Sequence, residues 1–517
     1  MAWFSPKPLI LPDVITLNAD FNGPKTAVVD GDTRVTWQAF GEGTARVANA
    51  LADAGLVKGD RVVVLMKNSY EMLEAMFGVI RGGFVCVPLN VSITDEAVAG
   101  MIGNSAAKAV IASGEHVARI DALRDSLGDA ISARCIGLDT DLPGWLDYRA
   151  FRDSGSSAKP DVVIDASDEC NIIYSSGTTG LPKGIVHDHA CREAWGSDMA
   201  VALRYHSGAR TLCNLGLFSN ISWVAMLATM FAGGTIIVQR RFTAEDCLEL
   251  MQQERVTHTA MVPLQFQKLM ECESFDQYDL TSLDAYMCCG SPLNPEIKRQ
   301  VMERMPGDFI ELYGLTEGLV TILGPEDMRE KTDSVGRPCP GQQLVILDND
   351  DNVLPAGESG EIVGTCRFLM AGYHDNDEAN EEATWLHPTG QRWLRTGDIG
   401  KLDDDGFLYL VDRKKDMIIS GGQNVYPADI EVAMLRHDAV SEVAVIGVPS
   451  KRWGETPLAV VVPSTEVDAI ELTAWTNAQV GKQQRIVDTV FVDELPRNPN
   501  GKVLKRELRK TYSDREY

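Results

Sequence analysis

The chain has 517 residues, 44% hydrophobic and 24% charged, a globular composition at a length too great for one core, so two or more domains are expected. Its 74 acidic against 48 basic residues give a net charge of −26, which argues against a nucleic-acid partner but leaves room for a nucleotide gripped by a few local donors. Eleven cysteines, scattered singly except for Cys288-Cys289 and without a Cys-x-x-Cys pair, suit a reduced cytoplasmic protein rather than a disulfide framework or a zinc site.

In chain order, the N-terminus Met1-Ala-Trp-Phe-Ser-Pro-Lys-Pro lacks the basic and long apolar regions of a secretory leader. Short apolar strands then alternate with amphipathic helical stretches: Arg61 to Leu65, the helical Glu71 to Arg81, Phe84 to Pro88, and Val110 to Ala112. Ser154 to Lys159 is a linker-like patch. Ile172-Ile173-Tyr174 reads as a buried strand, with a segment after Ile185 able to turn helical. The least charged stretch, Thr211 to Gln239, contains Asn214, Ser219, Asn220, Ser222 and Gly233-Gly234, so it is expected to be a buried helix and then a strand, Thr235 to Val238, rather than a membrane span. Thr257 to Val262, Tyr286 to Cys289 and Phe309 to Tyr313 continue the strand series, and the alternation predicts an α/β fold class with helices covering sheets. From Gln343 the strands Leu344 to Leu347, Glu361 to Gly364 and Phe407 to Val411 are separated by Asp/Gly turns, which predicts a β-rich subdomain. After the charged Asp412-Arg-Lys-Lys-Asp416 come a helix (Ala428 to Arg436), strands (Glu442 to Ile446, Leu458 to Val462), a helix (Asp468 to Val480) and a basic tail: an α+β unit long enough to be a domain. The expected division is 1–412 and 413–517.

Three stretches carry chemistry. In Tyr174-Ser-Ser-Gly-Thr-Thr-Gly-Leu-Pro-Lys-Gly184, Gly177, Gly180 and Gly184 free the backbone to aim N–H groups at one point. Ser175, Ser176, Thr178 and Thr179 add hydroxyls and Lys183 a positive charge, as a phosphate cradle requires. It is not a Walker A loop, whose Gly-Lys-Ser/Thr spacing is missing. Tyr313-Gly-Leu-Thr-Glu317, ending a strand, offers a ring, a turn, a hydroxyl and a carboxylate suited to Mg²⁺. Thr396-Gly-Asp398, after the strand-like Trp393-Leu-Arg, places a carboxylate where it could take two ribose hydroxyls. His187-x-His189 looks like a metal pair but lacks a third ligand, and reads better as a surface feature at a helix start; Cys288-Cys289 reads as buried strand.

In order, the cradle, Gly290-Ser-Pro292, Tyr313 to Glu317, Gly360-Glu361, Thr396-Gly-Asp398, Asp412-Arg413, Gly421-Gly422 and Pro499-Asn-Gly-Lys502 resemble the adenylate-forming superfamily of acyl-CoA synthetases, luciferases and non-ribosomal adenylation domains, from about Thr36 to about Leu508. The resemblance implies ATP, Mg²⁺ and coenzyme A as cosubstrates and cofactor. Thr178, Thr179 and Lys183 would steer the phosphates, together with Ser175, Ser176, Gly177 and Gly180. Gly290, Ser291 and Pro292, with Glu311, Leu312 and Tyr313, would sandwich the adenine; Thr316 would contact the adenylate phosphate, Glu317 would bind Mg²⁺, and Asp398 and Arg413 would hold the ribose. Lys502 would stabilise charge as a carboxylate attacks the α-phosphate, a task suited to an ammonium delivered by a moving domain, with Lys415 as the hinge. Gly421 and Gly422, in Ser420 to Val425, would line a narrow tunnel for the thiol's pantetheine arm.

The implied reaction joins a carboxylic acid to AMP with loss of pyrophosphate, then passes the acyl group to coenzyme A. The alternative is a stand-alone adenylating enzyme serving a carrier protein or other acceptor, or a luciferase-like relative. Amino-acid-activating members keep an aspartate in the segment matched by Leu217-Phe-Ser-Asn-Ile221; Ser219 stands there, so an α-ammonium would go unpaired at a cost of several kcal/mol. Leu312, with Trp223, Met226 and Met230, suggests an apolar acid pocket of limited depth, although the last three could equally be core. No arginine precedes Tyr313 to pair a second carboxylate, so a monocarboxylic acid is expected, small-to-medium aliphatic or phenylpropenoid. A homodimer is compatible with all of this, and no transmembrane segment is expected.

Overall fold

A computed structural model describes residues 7–127, 134–175, 182–420, 423–482, 484–497, 503–513 and 515. Two large sheets share one core. The first has nine strands, six of them parallel in the order Asp308–Leu315, Ala285–Cys289, His258–Met261, Arg210–Cys213, Thr235–Val238, Thr26–Asp30. Antiparallel strands close both edges: Gly318–Leu323 and Arg337–Pro338 on one side, Thr33–Thr36 on the other. The second has eight strands, with Glu169–Tyr174 next to Val85–Pro88 and Arg61–Leu65. Buried on both faces, its strands read Val/Ile-rich without alternation, which is why Arg61–Leu65 and Ala109–Ser113 stand out in the sequence.

Helices fill the space between the sheets. Tyr70–Arg81 starts on Ser69, whose hydroxyl accepts the Met72 N–H, and is buried from Met72 to Arg81. It crosses Trp37–Asp53 closely because two glycines remove side chains there: a Cβ on Gly78 would lie 2.5 Å from Val47, and one on Gly43 would lie 2.2 Å from the Glu74 carboxylate. Glu74 is fully buried and is paired by the Tyr70 hydroxyl, by the Tyr148 hydroxyl at 2.9 Å and by Arg152 at 3.3 Å. A run of rings, Trp37–Phe40–Phe77–Trp223, edge-to-face in its first two contacts and tilted in the third, with centroids about 6 Å apart, links these helices to Asn220–Ala232. All four residues of that run are 0–1% exposed, so this chain of rings is core. Among the described residues no helix is long and apolar enough to cross a membrane.

The β-rich subdomain is a five-stranded antiparallel sheet of Gln343–Leu347, Gly360–Thr365, Thr384–Leu386, Arg392–Leu402 and Leu408–Arg413. Beyond it a smaller unit is built on the long hairpin Val440–Ser450/Gly454–Pro463, with Ile418–Ser420, Gln423–Val425 and Thr489–Phe491 beside it and the helices Pro427–Met434, Ala469–Gln479 and Lys505–Thr511 packed around. The chain is therefore a large N-terminal α/β domain followed by a small α+β C-terminal one.

Three expectations are corrected. The segment after the glycine-rich loop first forms a strand, Gly184–Asp188, pairing with Glu169–Tyr174, and turns helical only at His189, where Asp188 caps the helix by accepting the Cys191 N–H. The loop is thus a hairpin connection, not a strand-to-helix turn. Thr396-Gly-Asp398 lies inside the strand Arg392–Leu402 rather than after it. His187 and His189 are not on the surface: both are 0% exposed.

The first large sheet meets the β-rich subdomain through Leu408, whose N–H donates to the Gly336 carbonyl at 2.8 Å and whose carbonyl accepts the Val335 N–H at 2.9 Å. Gly336 has φ +91°, and a Cβ there would sit 2.0 Å from the Ile322 carbonyl group. Gly336→Ala should therefore cost about 3 kcal/mol or more and lower Tm by several degrees in a thermal melt; an unchanged Tm would contradict this junction.

Candidate active site

The site lies where the nine-stranded sheet, the hairpin after Glu169–Tyr174 and the β-rich subdomain converge. The base of the glycine-rich loop is closed by Ser175 and Lys183: the Ser175 N–H donates to the Lys183 carbonyl at 2.9 Å, and the Lys183 N–H donates to Ser175 Oγ at 3.1 Å. The Lys183 ammonium lies 4.8 Å over the Tyr373 ring, and the Tyr373 hydroxyl donates to Glu317 Oε1 at 2.9 Å. Lys183, Tyr373 and Glu317 are thus brought together from three distant segments. Burial, and then the Glu317 charge, raise the Tyr373 phenol, so it stays a donor at neutral pH.

Asp398 is held from two sides. Register pairs it with Arg413 on the neighbouring antiparallel strand, where Arg413 Nε is 3.2 Å from Oδ1. From the other sheet, the Tyr313 hydroxyl donates to Oδ2 at 2.7 Å. Burial, reinforced by Asp398, pushes the Tyr313 phenol well above its ordinary range. Asp398 is 6% exposed and each carboxylate oxygen has a second lone pair, so the group can accept vicinal hydroxyls without losing its present partners. Thr396 Oγ1 accepts the Asp398 N–H at 3.0 Å and holds the turn.

Glu311 is paired with the buried Lys298 ammonium; burial raises its pKa while Lys298 opposes the shift. Leu312, half-buried, packs against the main core, and Gly290 (φ +99°) sits at the end of its strand with only Ile221 and Val262 carbons near a would-be Cβ, in ordinary contact. Ser291 and Pro292 follow it. Ser219 caps the helix Asn220–Ala232, accepting the Ser222 N–H at 3.3 Å, so the position where an acid would stand is spent on the helix start. Trp223, Met226 and Met230, on that helix, are 0% exposed and packed in the core. At the start of the C-terminal unit, the Lys414 N–H donates to the Gly397 carbonyl at 2.9 Å, directly beside Asp398. Burial and the neighbouring Arg413 lower the pKa of Lys415.

Ser176, Gly177, Thr178, Thr179, Gly180, Gly421, Gly422 and Lys502 lie outside the described residues. Arg497 and Val503, which flank the last of these, form an antiparallel bridge.

Sequence reasoning missed Tyr373, because a lone tyrosine after a glycine carries no signal. It also missed the role of His187, whose Nε2 is 2.8 Å from the Thr316 carbonyl. Among the described residues the one group of His, Cys, Asp or Glu close enough to share a cation is His206, His258 and Asp284, with ligand atoms within 4.8 Å, at the opposite ends of the strands. Both His258 nitrogens are already engaged, by Thr257 Oγ1 at 2.7 Å and the Arg204 carbonyl at 3.2 Å.

Removing the neutral donor to a buried carboxylate costs about 1.5–3 kcal/mol. Tyr313→Phe should therefore raise KM for ATP about tenfold or more in a steady-state assay while KM for the acid moves less than about threefold. Equal changes in both would remove Tyr313 and Asp398 from the nucleotide side.

The chain matches known proteins over nearly its whole length. Residues 16–374 match the AMP-binding enzyme family and residues 429–502 its C-terminal domain. The chain is 33% identical over 485 residues to a long-chain-fatty-acid–CoA ligase, FadD13, of Mycobacterium tuberculosis, covering 93% of this chain and 94% of that one. It is also 33% identical over 494 residues to a feruloyl-CoA synthase of Amycolatopsis sp, covering 94% and 96%. Among solved structures, ATP-bound MatB from Rhodopseudomonas palustris superposes with a TM-score of 0.88 at 27% identity, covering 97% of this chain and 99% of that one. The chain belongs to the AMP-binding enzyme family, as an AMP-forming acyl-CoA synthetase of the adenylate-forming superfamily.

Proposed function

We propose that the chain activates a monocarboxylic acid in two steps at the junction of its sheets, with the roles of individual residues as follows. In the first step a carboxylate oxygen attacks the ATP α-phosphorus, the bond to the β-phosphate oxygen breaks, and pyrophosphate leaves. In the second a thiol of coenzyme A attacks the acyl carbon and AMP leaves with the bridging oxygen. The observation that carries this reading is that one short segment, Tyr313 to Glu317, contributes to both the Tyr313–Asp398–Arg413 triad and the Lys183–Tyr373–Glu317 cluster: one offers a ribose acceptor, the other a phosphate cation and a carboxylate.

Asp398 accepts from the ribose hydroxyls and Arg413 keeps it oriented. Lys183, with Ser175, Ser176, Gly177, Thr178, Thr179 and Gly180, neutralises the departing pyrophosphate. Gly290 to Pro292 and Glu311 to Tyr313 flank the base, and Thr316 faces the α-phosphate. Glu317 suits Mg²⁺ as a hard oxygen ligand with Oε1 already fixed by Tyr373; the ion, when bound, would withdraw charge from the phosphates, and a single protein carboxylate with phosphate oxygens is its customary set. The C-terminal domain, 413–517, turns about Lys415 to exchange Lys502 for the passage lined by Gly421 and Gly422, because adenylation needs a sealed site and thiolysis an open one. Fatty-acid and feruloyl relatives support an apolar monocarboxylic acid, with Leu312 and Ser219 at the pocket wall. Eleven unbridged cysteines, ten of them buried, support a reducing cytoplasmic setting.

The test is a panel of aliphatic and phenylpropenoid acids read by AMP release with and without coenzyme A. A coenzyme-A-dependent burst of AMP and acyl-CoA is expected; AMP release that ignores coenzyme A would favour an acyl-adenylate made for another acceptor. Lys502→Ala should lower acyl-AMP formation at least about a hundredfold yet leave thioester formation from supplied acyl-AMP near the parent rate. Equal loss of both half-reactions would sink its role. Leu312→Gly should shift preference toward bulkier acids, and an unchanged profile would take Leu312 out of the pocket.

A further inference from the structure

Arg192 is an unusual residue to bury. It lies on the helix His189–Ala202 at 0% exposure, and no carboxylate pairs with it among the described residues. Its Nε donates to Asn171 Oδ1 at 2.7 Å and a terminal nitrogen to Asn220 Oδ1 at 2.9 Å, while the guanidinium lies 4.7 Å over the Trp223 ring. Burial draws its pKa down to about 10, so it stays charged at neutral pH. Keeping a cation there without an anion is costly, and so the position calls for a reason.

The reason is its fourth contact. The other terminal nitrogen of Arg192 is 3.1 Å from His187 Nδ1, and His187 Nε2 is 2.8 Å from the Thr316 carbonyl oxygen. A guanidinium has donors and no acceptor, so Nδ1 must present its lone pair and the ring proton must sit on Nε2. Burial, and next the Arg192 charge, hold the His187 pKa well below its ordinary value, so the ring is neutral with that single N–H. The N–H therefore donates to the Thr316 carbonyl.

The peptide bonds of the described chain are all trans, so fixing the Thr316 carbonyl toward His187 turns the Glu317 N–H the opposite way, out of the buried network. The turn is tight, with Leu315 bridging Gly318, and Glu317 is fixed twice more: its carbonyl accepts the Met370 N–H at 2.7 Å and its carboxylate the Tyr373 hydroxyl. One peptide plane thus fixes the Thr316 carbonyl and the Glu317 N–H, and with them the backbone from which the Thr316 and Glu317 side chains project. The same arginine grips Asn220, next to Ser219 at the start of the helix on the acid side.

We propose that His187 and Arg192 are positioning residues for the adenylation half-reaction: Arg192 selects the His187 tautomer, and His187 locks the Thr316–Glu317 peptide against the nucleotide. This rests on the reading of Thr316 and Glu317 given above. Neither residue touches a reacting atom, so their loss falls on kcat of acyl-AMP formation more than on KM for ATP or on thioester formation.

The experiment compares His187→Leu with His187→Gln, whose amide N–H reaches the Nε2 position. ATP–pyrophosphate exchange and thioester formation from supplied acyl-AMP are read for both, with Tm alongside. His187→Leu should lose about tenfold to hundredfold in exchange kcat, with thioester formation within about threefold; His187→Gln should recover most of the exchange loss. His187→Asn, one methylene too short to reach, serves as the second non-donating variant if the leucine change does not fold, and should behave as a loss. Independently of turnover, ¹⁵N-histidine spectra should show His187 as the Nε2–H tautomer in the parent and a mixed population in Arg192→Met. Full exchange activity in His187→Leu, equal losses in the glutamine and non-donating variants, or an Nδ1–H tautomer in the parent would each overturn the proposal. Absent exchange in the parent with every acid, beside the expected tautomer, would instead count against the functional reading while leaving the peptide lock standing.

Discussion

A buried carboxylate needs partners, and Asp398 takes one from each of two sheets. Tyr313 reaches it from the end of a parallel strand in the large sheet, and Arg413 faces it across an antiparallel ladder in the β-rich subdomain. Because Arg413 is the last residue of its strand and the next residues enter the C-terminal unit, this one cluster fixes the geometry between three parts of the molecule. Asp398, the proposed ribose acceptor, is therefore also the joint. In the proposed mechanism a nucleotide held by Asp398 would bear on all three parts at once, a physical reason for a two-step enzyme to anchor its cosubstrate at this point.

Around that joint the site divides by chemistry. A hydroxyl and an ammonium come from the hairpin side, at Ser175 and Lys183; the carboxylates come from elsewhere, Glu317 from the turn between Asp308–Leu315 and Gly318–Leu323 and Asp398 from the β-rich subdomain. The helix Asn220–Ala232 supplies neither. It is apolar nearly throughout, begins on Ser219 and carries Trp223 into the core. In the proposed reading, phosphate recognition is thereby kept apart from recognition of the acid, in keeping with relatives named for fatty and feruloyl acids.

How much of this was legible in sequence depends on how local each feature is. Buried strands such as Arg61–Leu65 and Ala285–Cys289 were readable because a doubly covered parallel strand writes an unbroken apolar run. The helix Tyr70–Arg81 was readable, as Glu71 to Arg81, from its amphipathic pattern; its cap on Ser69 came only from the structure. The strand Gly184–Asp188 was misread, since His187 and Asp188 break the apolar run for reasons lying elsewhere: one bonds to residue 316 and the other caps a helix. Asp398 was identified as a carboxylate, but its partners were not derivable from spacing, because Tyr313 is 85 positions away and meets it only through sheet packing. Tyr373 and Arg192 escaped for the same reason. Their meaning is entirely in their neighbours.

The central claim is that the acid's own oxygen forms the bond to the α-phosphorus. It is tested most directly with an accepted acid labelled with ¹⁸O in both carboxylate oxygens, followed by mass spectrometry of the products after coenzyme A turnover. One ¹⁸O per AMP, with unlabelled pyrophosphate, is the result this account predicts. Label in inorganic phosphate or pyrophosphate, or unlabelled AMP beside acyl-CoA carrying one ¹⁸O, would contradict it.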